Sequence, residues 1–322
     1  MRSKIITILL LLGICISGMG QTLQTAQKMD SVKVDSLNQA ASNPDFIQAY
    51  LLVISEGKAF YSVYGHAALR MVCKEKGLDY CFTFEMDMNK SSYLDVFTRK
   101  AKAGFAPVPT SQFLDSYKQE GRGVKAFLLN LQPKEKQNLW KVLDEEAMNG
   151  SVWTFDYTSV NCMSMVTYAI NKAIAPAEVK WKNLPQVTQG DMGEWMDYVS
   201  CRSPWVRLIM HTVLWKVTDG EAKPEDLLTP EMVESVLPQT VIADASGKVR
   251  SLSIGTSATL LPQVYQDEPC WFRPWMALVL TVLIIVIAIW LYRKRTTNNQ
   301  KVILQNRKAY EYQDNNVGKA NG

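Results

Sequence analysis

The stretch AALRMVCKEKGLDYCFTFEM, residues 67–86, decides how the chain begins to fold. Two apolar runs, 67–73 and 80–86, flank a charged segment that contains Gly77. This pattern predicts two antiparallel strands joined by a turn. A hairpin centred on Gly77 would place Cys73 nearly opposite Cys81, so the pattern leaves open either a disulfide or two free thiols.

More strands and helices are predicted on both sides of this hairpin. The predicted strands are 50–54, 124–131 and 152–155, and the predicted helices are 110–120, 133–149 and 162–174. Strands that dominate early and then alternate with helices indicate an α+β domain. We place this domain at residues 46–200 and an exterior extension, with a candidate membrane-associated segment, at 201–270.

The beginning of the chain predicts export. Residues 1–20 combine basic residues, an apolar run and small residues before a cleavage site after Gly20, which is the pattern of a signal peptide. A lipid-modified Cys15 is the alternative, but the large residue Ile14 precedes it. Residues 21–45 form a polar leader.

A second apolar run predicts a transmembrane helix over residues 275–292. Aromatic residues bracket the run, and the basic cluster RKR at 293–295 follows it. The positive-inside rule puts this cluster in the cytoplasm and the body in the periplasm, so we expect a single pass through the inner membrane. A buried core helix is the alternative. The basic tail 293–322 is polar and is expected to be disordered.

The charge distribution argues against nucleic-acid binding. The chain has a net charge of +4, to which the tail 293–322 contributes +5 and the signal peptide +2. Residues 21–292 therefore carry −3, which is not the basic surface that nucleic acid requires. The apolar stretch 205–217 is too short to span a bilayer, and it predicts either a buried segment or a helix on the membrane surface.

A histidine and a cysteine are the residues most suited to chemistry. His66 opens a predicted strand after Gly65, and Cys162 follows Asn161 at the predicted start of a helix. A helix N-terminus lowers the pKa of a thiol, and a neighbouring histidine can accept its proton. The residues alone leave open a structural histidine and a cysteine in a disulfide.

The counts of cysteine and histidine restrict the chemistry further. Five cysteines remain after removal of the signal peptide, so at least one thiol is unpaired within the chain. Cys201 and Cys270 are a second candidate disulfide pair, whereas pairing of Cys162 with either would remove the nucleophile. With two histidines and no Cys-x-x-Cys, the sequence has no metal-ligand spacing, and we expect no metal and no cofactor.

Three segments resemble the exported cysteine domain of the Lnb type, a family of lipoprotein N-acyltransferases of Bacteroides-like bacteria. They are SVYGHAALR (62–70), YKQEGR (117–122) followed by LNL (129–131), and FDY (155–157) leading into residues 161–162. The resemblance implies a thiol enzyme with a circularly permuted papain-like fold of the NlpC/P60 kind, similar to that of lecithin:retinol acyltransferases.

The resemblance also implies roles for individual residues. It makes His66 the base and Cys162 the nucleophile. Asn161 would either position the cysteine or cap its helix. In a hairpin centred near residue 77, Glu85 and Asp87 lie opposite His66, and either is a candidate to orient it.

Tyr64 and Arg122 are candidate substrate-binding residues, although Arg122 could instead pair with Glu120. The implied activity is that of a membrane-anchored thiol acyltransferase, which takes an acyl group from phospholipid and passes it to an amine. Lipoprotein N-termini are the candidate acceptors. A papain-like cysteine amidase or peptidase and a non-catalytic anchored binding domain are the alternatives.

Overall fold

The computed structural model describes residues 46–57, 62–87, 90–92, 95–96, 98–214, 222–264 and 272–320. The predicted signal peptide and polar leader lie outside these ranges. The chain divides into two compact units, a body that extends to Glu268 and a C-terminal segment that begins at Pro269.

Antiparallel strands form the centre of the body. In chain order they are β1 (Ile47–Ile54), β2 (His66–Cys73), β3 (Leu78–Met86), β4 (Lys102–Pro109), β5 (Val124–Leu129), β6 (Trp153–Thr154), β7 (Glu178–Lys180), β8 (Val241–Ala243), β9 (Val249–Ser251) and β10 (Ser253–Leu261). The main sheet has the order β10-β5-β1-β2-β3-β4-β6, and a second sheet has the order β7-β8-β9. Every neighbouring pair is antiparallel.

Helices cover both faces of the main sheet. They are α1 (Thr110–Gln119), α2 (Pro133–Met148), α3 (Cys162–Ile174), α4 (Met192–Val199), α5 (Pro204–Leu214) and α6 (Pro230–Val236). Apolar residues of α2, α3 and α6 join the larger core cluster on one face, and α1 packs on the other face with Phe113 and Tyr117. The body is therefore a mixed α and β domain, in agreement with the predicted class.

The hairpin between β2 and β3 has a different register from the predicted one. Cys73 pairs with Leu78, and Cys81 pairs with Arg70, because the turn occupies residues 74–77 rather than being centred on Gly77. Successive side chains of a strand point to opposite faces, so this odd shift puts the two thiols on opposite sides of the sheet. Both are buried and free, so the structure shows the second of the two alternatives that the sequence left open.

Strand β4 was not predicted, because Pro107 and Pro109 argue against a central strand. The structure accommodates both prolines. β4 pairs with β3 over its whole length, but its other neighbour, β6, reaches only Lys102 and Ala103. Proline lacks an N–H donor, so it is tolerated in the part of β4 that has only one neighbour.

The domain boundary predicted at residue 200 is also wrong. β10 pairs with β5 in the main sheet, and β8 pairs with β7 in the smaller one. In α6, Met232, Val233 and Val236 are buried in the same core as β1 and α3. Residues after 200 therefore complete the domain and do not form a separate extension.

Helix α5, which contains the start of the apolar stretch 205–217, packs against this body with one face. Val206 and Met210 lie in the core, whereas Arg207 is exposed. Arg207 and His211 both contact Asp197 of α4, each at 2.7 Å. One face of α5 is thus buried, and the other carries an ion-pair cluster at the surface.

The C-terminal segment is one helix, α7 (Pro274–Ala320). Its part Pro274–Gln300 is the one helix among the described residues that is long and apolar enough to cross a membrane, and it contains the predicted span 275–292. The tail from residue 293, for which the sequence predicts disorder, is instead helical as far as Ala320.

Candidate active site

Cys162 is the first residue of α3, and Asn161 caps that helix. The Asn161 side chain makes four hydrogen bonds: Oδ1 accepts from the backbone N–H groups of Met163 and Ser164, and Nδ2 donates to the carbonyls of Tyr157 and Asp226. Of the two roles open to Asn161 from the sequence, the geometry shows the cap. The cap fixes where α3 begins and so where the thiol lies.

The Cys162 thiol lies beside the start of β2. Backbone N–H groups of Ala67, Met163 and Cys162 itself donate to the sulfur, and Ala67 is the residue that follows His66. These donors act to lower the thiol's pKa, but burial outweighs them and raises it to about 11. The net shift is opposite to the lowering expected for a cysteine at a helix N-terminus, because the helix end is buried.

A chain of hydrogen bonds holds His66. Its Nε2 lies 2.6 Å from Oγ1 of Thr83, and that hydroxyl donates to Oε1 of Glu85 at 3.1 Å. Because Thr83 uses its proton on Glu85, its oxygen accepts the proton of Nε2. In the neutral ring this arrangement leaves Nδ1 as the unprotonated, basic nitrogen.

Electrostatics keep this imidazole neutral. Burial and the charge of Arg122 lower the pKa of His66 to about 3. Burial also raises the pKa of Glu85. The sequence places two carboxylates opposite His66. Of these, Glu85 is linked to His66 by hydrogen bonds through the Thr83 hydroxyl. Asp87 forms an ion pair with Lys90 at 3.0 Å.

Arg122 follows α1 and is 3% exposed. Its Nε donates to the carbonyl of Ser55 at 2.7 Å, and its Nη1 contacts Oε2 of Glu120 at 3.2 Å. Its guanidinium carbon lies 4.8 Å from the centre of the Tyr117 ring, which stacks at 6.5 Å from the ring of His66. The sequence alternative, a structural pair with Glu120, is therefore present, but it uses only part of the guanidinium.

Tyr64, the other candidate substrate-binding residue, lies two positions before His66. Its hydroxyl is buried and has no hydrogen-bond partner among the described residues. Burial and the neighbouring Tyr157 raise the pKa of this phenol. The Tyr64 hydroxyl is therefore neutral, and it lies in the electrostatic environment of Tyr157.

The remaining cysteines do not join the site. Cys201 is exposed and free, and Cys270, its candidate disulfide partner, lies outside the described residues. Cys162 is free as well. The thiol that the sequence singled out is therefore not part of a disulfide.

Thr83 was missed by the sequence analysis, because threonine is an ordinary strand residue. The signal that could have found it is strand alternation. With the correct hairpin register, positions 81, 83 and 85 of β3 share a face with positions 66, 68 and 70 of β2. A hydroxyl between a histidine and a carboxylate on one face of a sheet is a recognisable relay.

The fold and the site define a mixed α and β domain in which a cysteine at a helix start accepts a hydrogen bond from Ala67, the residue that follows a histidine at a strand start. Residues 33–191 match the family model of the Lnb N-terminal periplasmic domain. The match confirms the Lnb-type domain that the sequence resemblance predicted for this part of the chain. No curated protein and no solved structure matches the chain significantly.

The family match and the C-terminal helix together indicate where the protein resides. The matched domain is periplasmic, and Pro274–Gln300 is a single apolar helix of membrane-spanning length. These two features fit a single-pass membrane protein.

Proposed function

We propose that the protein is a thiol acyltransferase anchored in the inner membrane, with its tail in the cytoplasm. Cys162 takes an acyl group from a phospholipid ester and passes it to an amine, for which a lipoprotein N-terminus is the candidate. The observation that carries the proposal is the His66–Thr83–Glu85 chain of hydrogen bonds together with a free Cys162, whose sulfur accepts from the N–H group of Ala67, next to His66. The circularly permuted papain-like fold remains a prediction of the resemblance.

The first half of the reaction follows from the protonation states. The thiol, with a pKa of about 11, is protonated at neutral pH, and the imidazole is unprotonated. As the sulfur attacks the ester carbonyl, Nδ1 of His66 accepts the thiol proton. The carbon–oxygen bond of the ester then breaks, and the departing lysophospholipid oxygen takes the proton from His66. Cys162 is left as a thioester.

The second half returns the enzyme to its starting state. The acceptor amine attacks the thioester carbonyl, its proton passes to His66, and the carbon–sulfur bond breaks. The sulfur recovers a proton and the product is an amide. Water in place of the amine would give the hydrolase alternative, and partial burial of Cys162 favours transfer because it limits access of water.

The proposal predicts a Cys162-linked acyl group. Full-length protein mixed with vesicles that contain acyl-labelled phospholipid should acquire a hydroxylamine-sensitive label, and Cys162→Ala should acquire none. Cys201→Ala is the matched control and should label as the wild type does, because Cys201 is an exposed free thiol that no predicted role involves.

Three outcomes of this experiment separate the candidate functions. Transfer of the label to an amine peptide supports the acyltransferase, and wild type but not Cys162→Ala should restore a strain defective in lipoprotein N-acylation. Release of free fatty acid alone, or peptidase activity that needs no lipid, supports the hydrolase. A wild type that never forms a thioester contradicts both and favours the non-catalytic domain.

Thr83→Val should lower the rate of thioester formation about 10- to 100-fold with little change in KM, because it removes the acceptor that fixes the tautomer of His66. The side chain keeps its size, and Thr83 is fully buried, so the fold should persist. Thr83→Ser restores the hydroxyl and should restore most of the rate. Equal rates in the valine and serine variants would contradict the relay.

A further inference from the structure

One nitrogen of the buried Arg122 guanidinium has no hydrogen-bond partner among the described residues. Nε and Nη1 are bound to the carbonyl of Ser55 and the carboxylate of Glu120, but Nη2 is buried without a hydrogen-bond partner among the described residues. A buried donor without a partner costs free energy, and the cost is larger for a charged group. The unused Nη2 group is therefore a buried donor that a ligand could engage.

The guanidinium is held rigidly. The Tyr117 ring covers one face at 4.8 Å. On the side of its stem, a Cβ atom added at Gly57 would lie 2.9 Å from Cδ and 3.1 Å from Nε, so the backbone there packs closely against the arginine. With Ser55 and Glu120 also bound, the group has little freedom to turn. A donor fixed before the reaction stabilises developing charge without reorganisation.

The positive charge of Arg122 acts on both His66 and Cys162. Arg122 acts electrostatically on His66 and on Cys162, lowering the pKa of each. The guanidinium is therefore close enough to the thiol to influence negative charge that forms there. During attack by the sulfur, the electron pair of the carbonyl π bond moves to oxygen, and this oxygen carries a full negative charge until the leaving group departs.

We infer that Arg122 is a catalytic residue whose Nη2 group donates a hydrogen bond to the oxyanion formed on the acyl carbonyl when Cys162 is acylated. This inference rests on the proposed function and adds to it the group that stabilises the tetrahedral intermediate. The ligand is an ester or thioester carbonyl oxygen. The Glu120 pair and the Ser55 carbonyl act as the supports that hold the guanidinium in place.

Two reactions of the same thiol provide the test, carried out on full-length protein in detergent. p-Nitrophenyl butyrate acylates Cys162 through a tetrahedral oxyanion, whereas iodoacetamide alkylates it by displacing iodide from a CH2 group and forms none. The ratio of the two rate constants cancels changes in thiolate fraction and in access. Arg122→Lys and Arg122→Met should lower this ratio about 100-fold.

Arg70→Met is the matched control. Like Arg122, Arg70 lies over a tyrosine ring, that of Tyr50, but its Nε and Nη2 are both bound to Asp79. Its removal should leave the ratio unchanged. Should Arg122→Met fail to fold, Arg122→Lys decides the question, because it retains the positive charge and most of the stem.

The outcomes separate this inference from the proposed function. An unchanged ratio in a folded Arg122 variant overturns the inference and leaves the acyltransferase standing. A wild type that p-nitrophenyl butyrate does not acylate at Cys162 overturns both. A wild type that the activated ester acylates but phospholipid does not overturns only the lipid donor.

Discussion

Alkylation of Cys162 by iodoacetamide should accelerate about tenfold with each pH unit from about pH 6 to about pH 10. The reason is the pKa of about 11 that burial gives the thiol, combined with the pKa of about 3 for His66. Between these values both groups are neutral, so the reactive thiolate is a minor species that grows as the pH rises. Total acceleration across the range is on the order of 10⁴.

A preformed thiolate–imidazolium pair would behave differently. It would give a plateau of reactivity in the acidic range, because the thiolate would exist wherever the imidazole is protonated. Mass spectrometry that follows the Cys162 peptide distinguishes the two profiles, with the exposed Cys201 as an internal control for reagent stability. A plateau would contradict a His66 that acts as a general base on a neutral thiol.

Gly65→Ala should destabilise the protein by about 3 kcal/mol, the largest effect on stability that we expect at the site. Gly65 has φ of +74°, where an L-residue costs about 1–2 kcal/mol, and a Cβ there would lie 2.7 Å from the carbonyl oxygen of Ile54. Ile54 pairs with His66, so relief of this clash must move the strand that carries the base.

Gly77→Ala separates the cost of the positive φ from the cost of the contact with the Ile54 carbonyl oxygen. Gly77 has φ of +64°, but a Cβ there meets nothing within 4 Å. It should therefore lose only about 1 kcal/mol, the cost of the backbone conformation. Denaturant unfolding of the full-length chain in detergent measures both variants. Equal decreases in the free energy of unfolding for the two variants would show that the contact with Ile54 does not contribute to the destabilisation.

Local patterns in the sequence were sufficient for much of the fold, and they singled out His66 and Cys162 as candidate site residues. Helix α3 begins and ends at the predicted residues, 162 and 174, because Asn161 is a strong cap and the apolar spacing is helical. His66 and Cys162 stood out because histidine is rare in this chain and because a cysteine at a helix start is unusual.

Non-local pairing is what the sequence could not specify. The register of β2 and β3 depends on which residues enter the turn, and an error of three positions removed the Cys73–Cys81 pair and hid Thr83. The pairing of β10 with β5 joins residues more than 120 positions apart, and no local pattern encodes it. The pKa of Cys162 likewise depends on burial by distant elements, which outweighs the local helix terminus.

The late position of β10 has a consequence for the order in which the protein matures. The family match ends at residue 191, yet the main sheet is complete only when β10, at Ser253–Leu261, has joined β5. Only residues 262–273 separate that strand from the start of α7 at Pro274. Synthesis runs from the N-terminus, so the last strand of the sheet and the apolar helix emerge almost together. The main sheet therefore cannot be completed until just before the apolar helix is made.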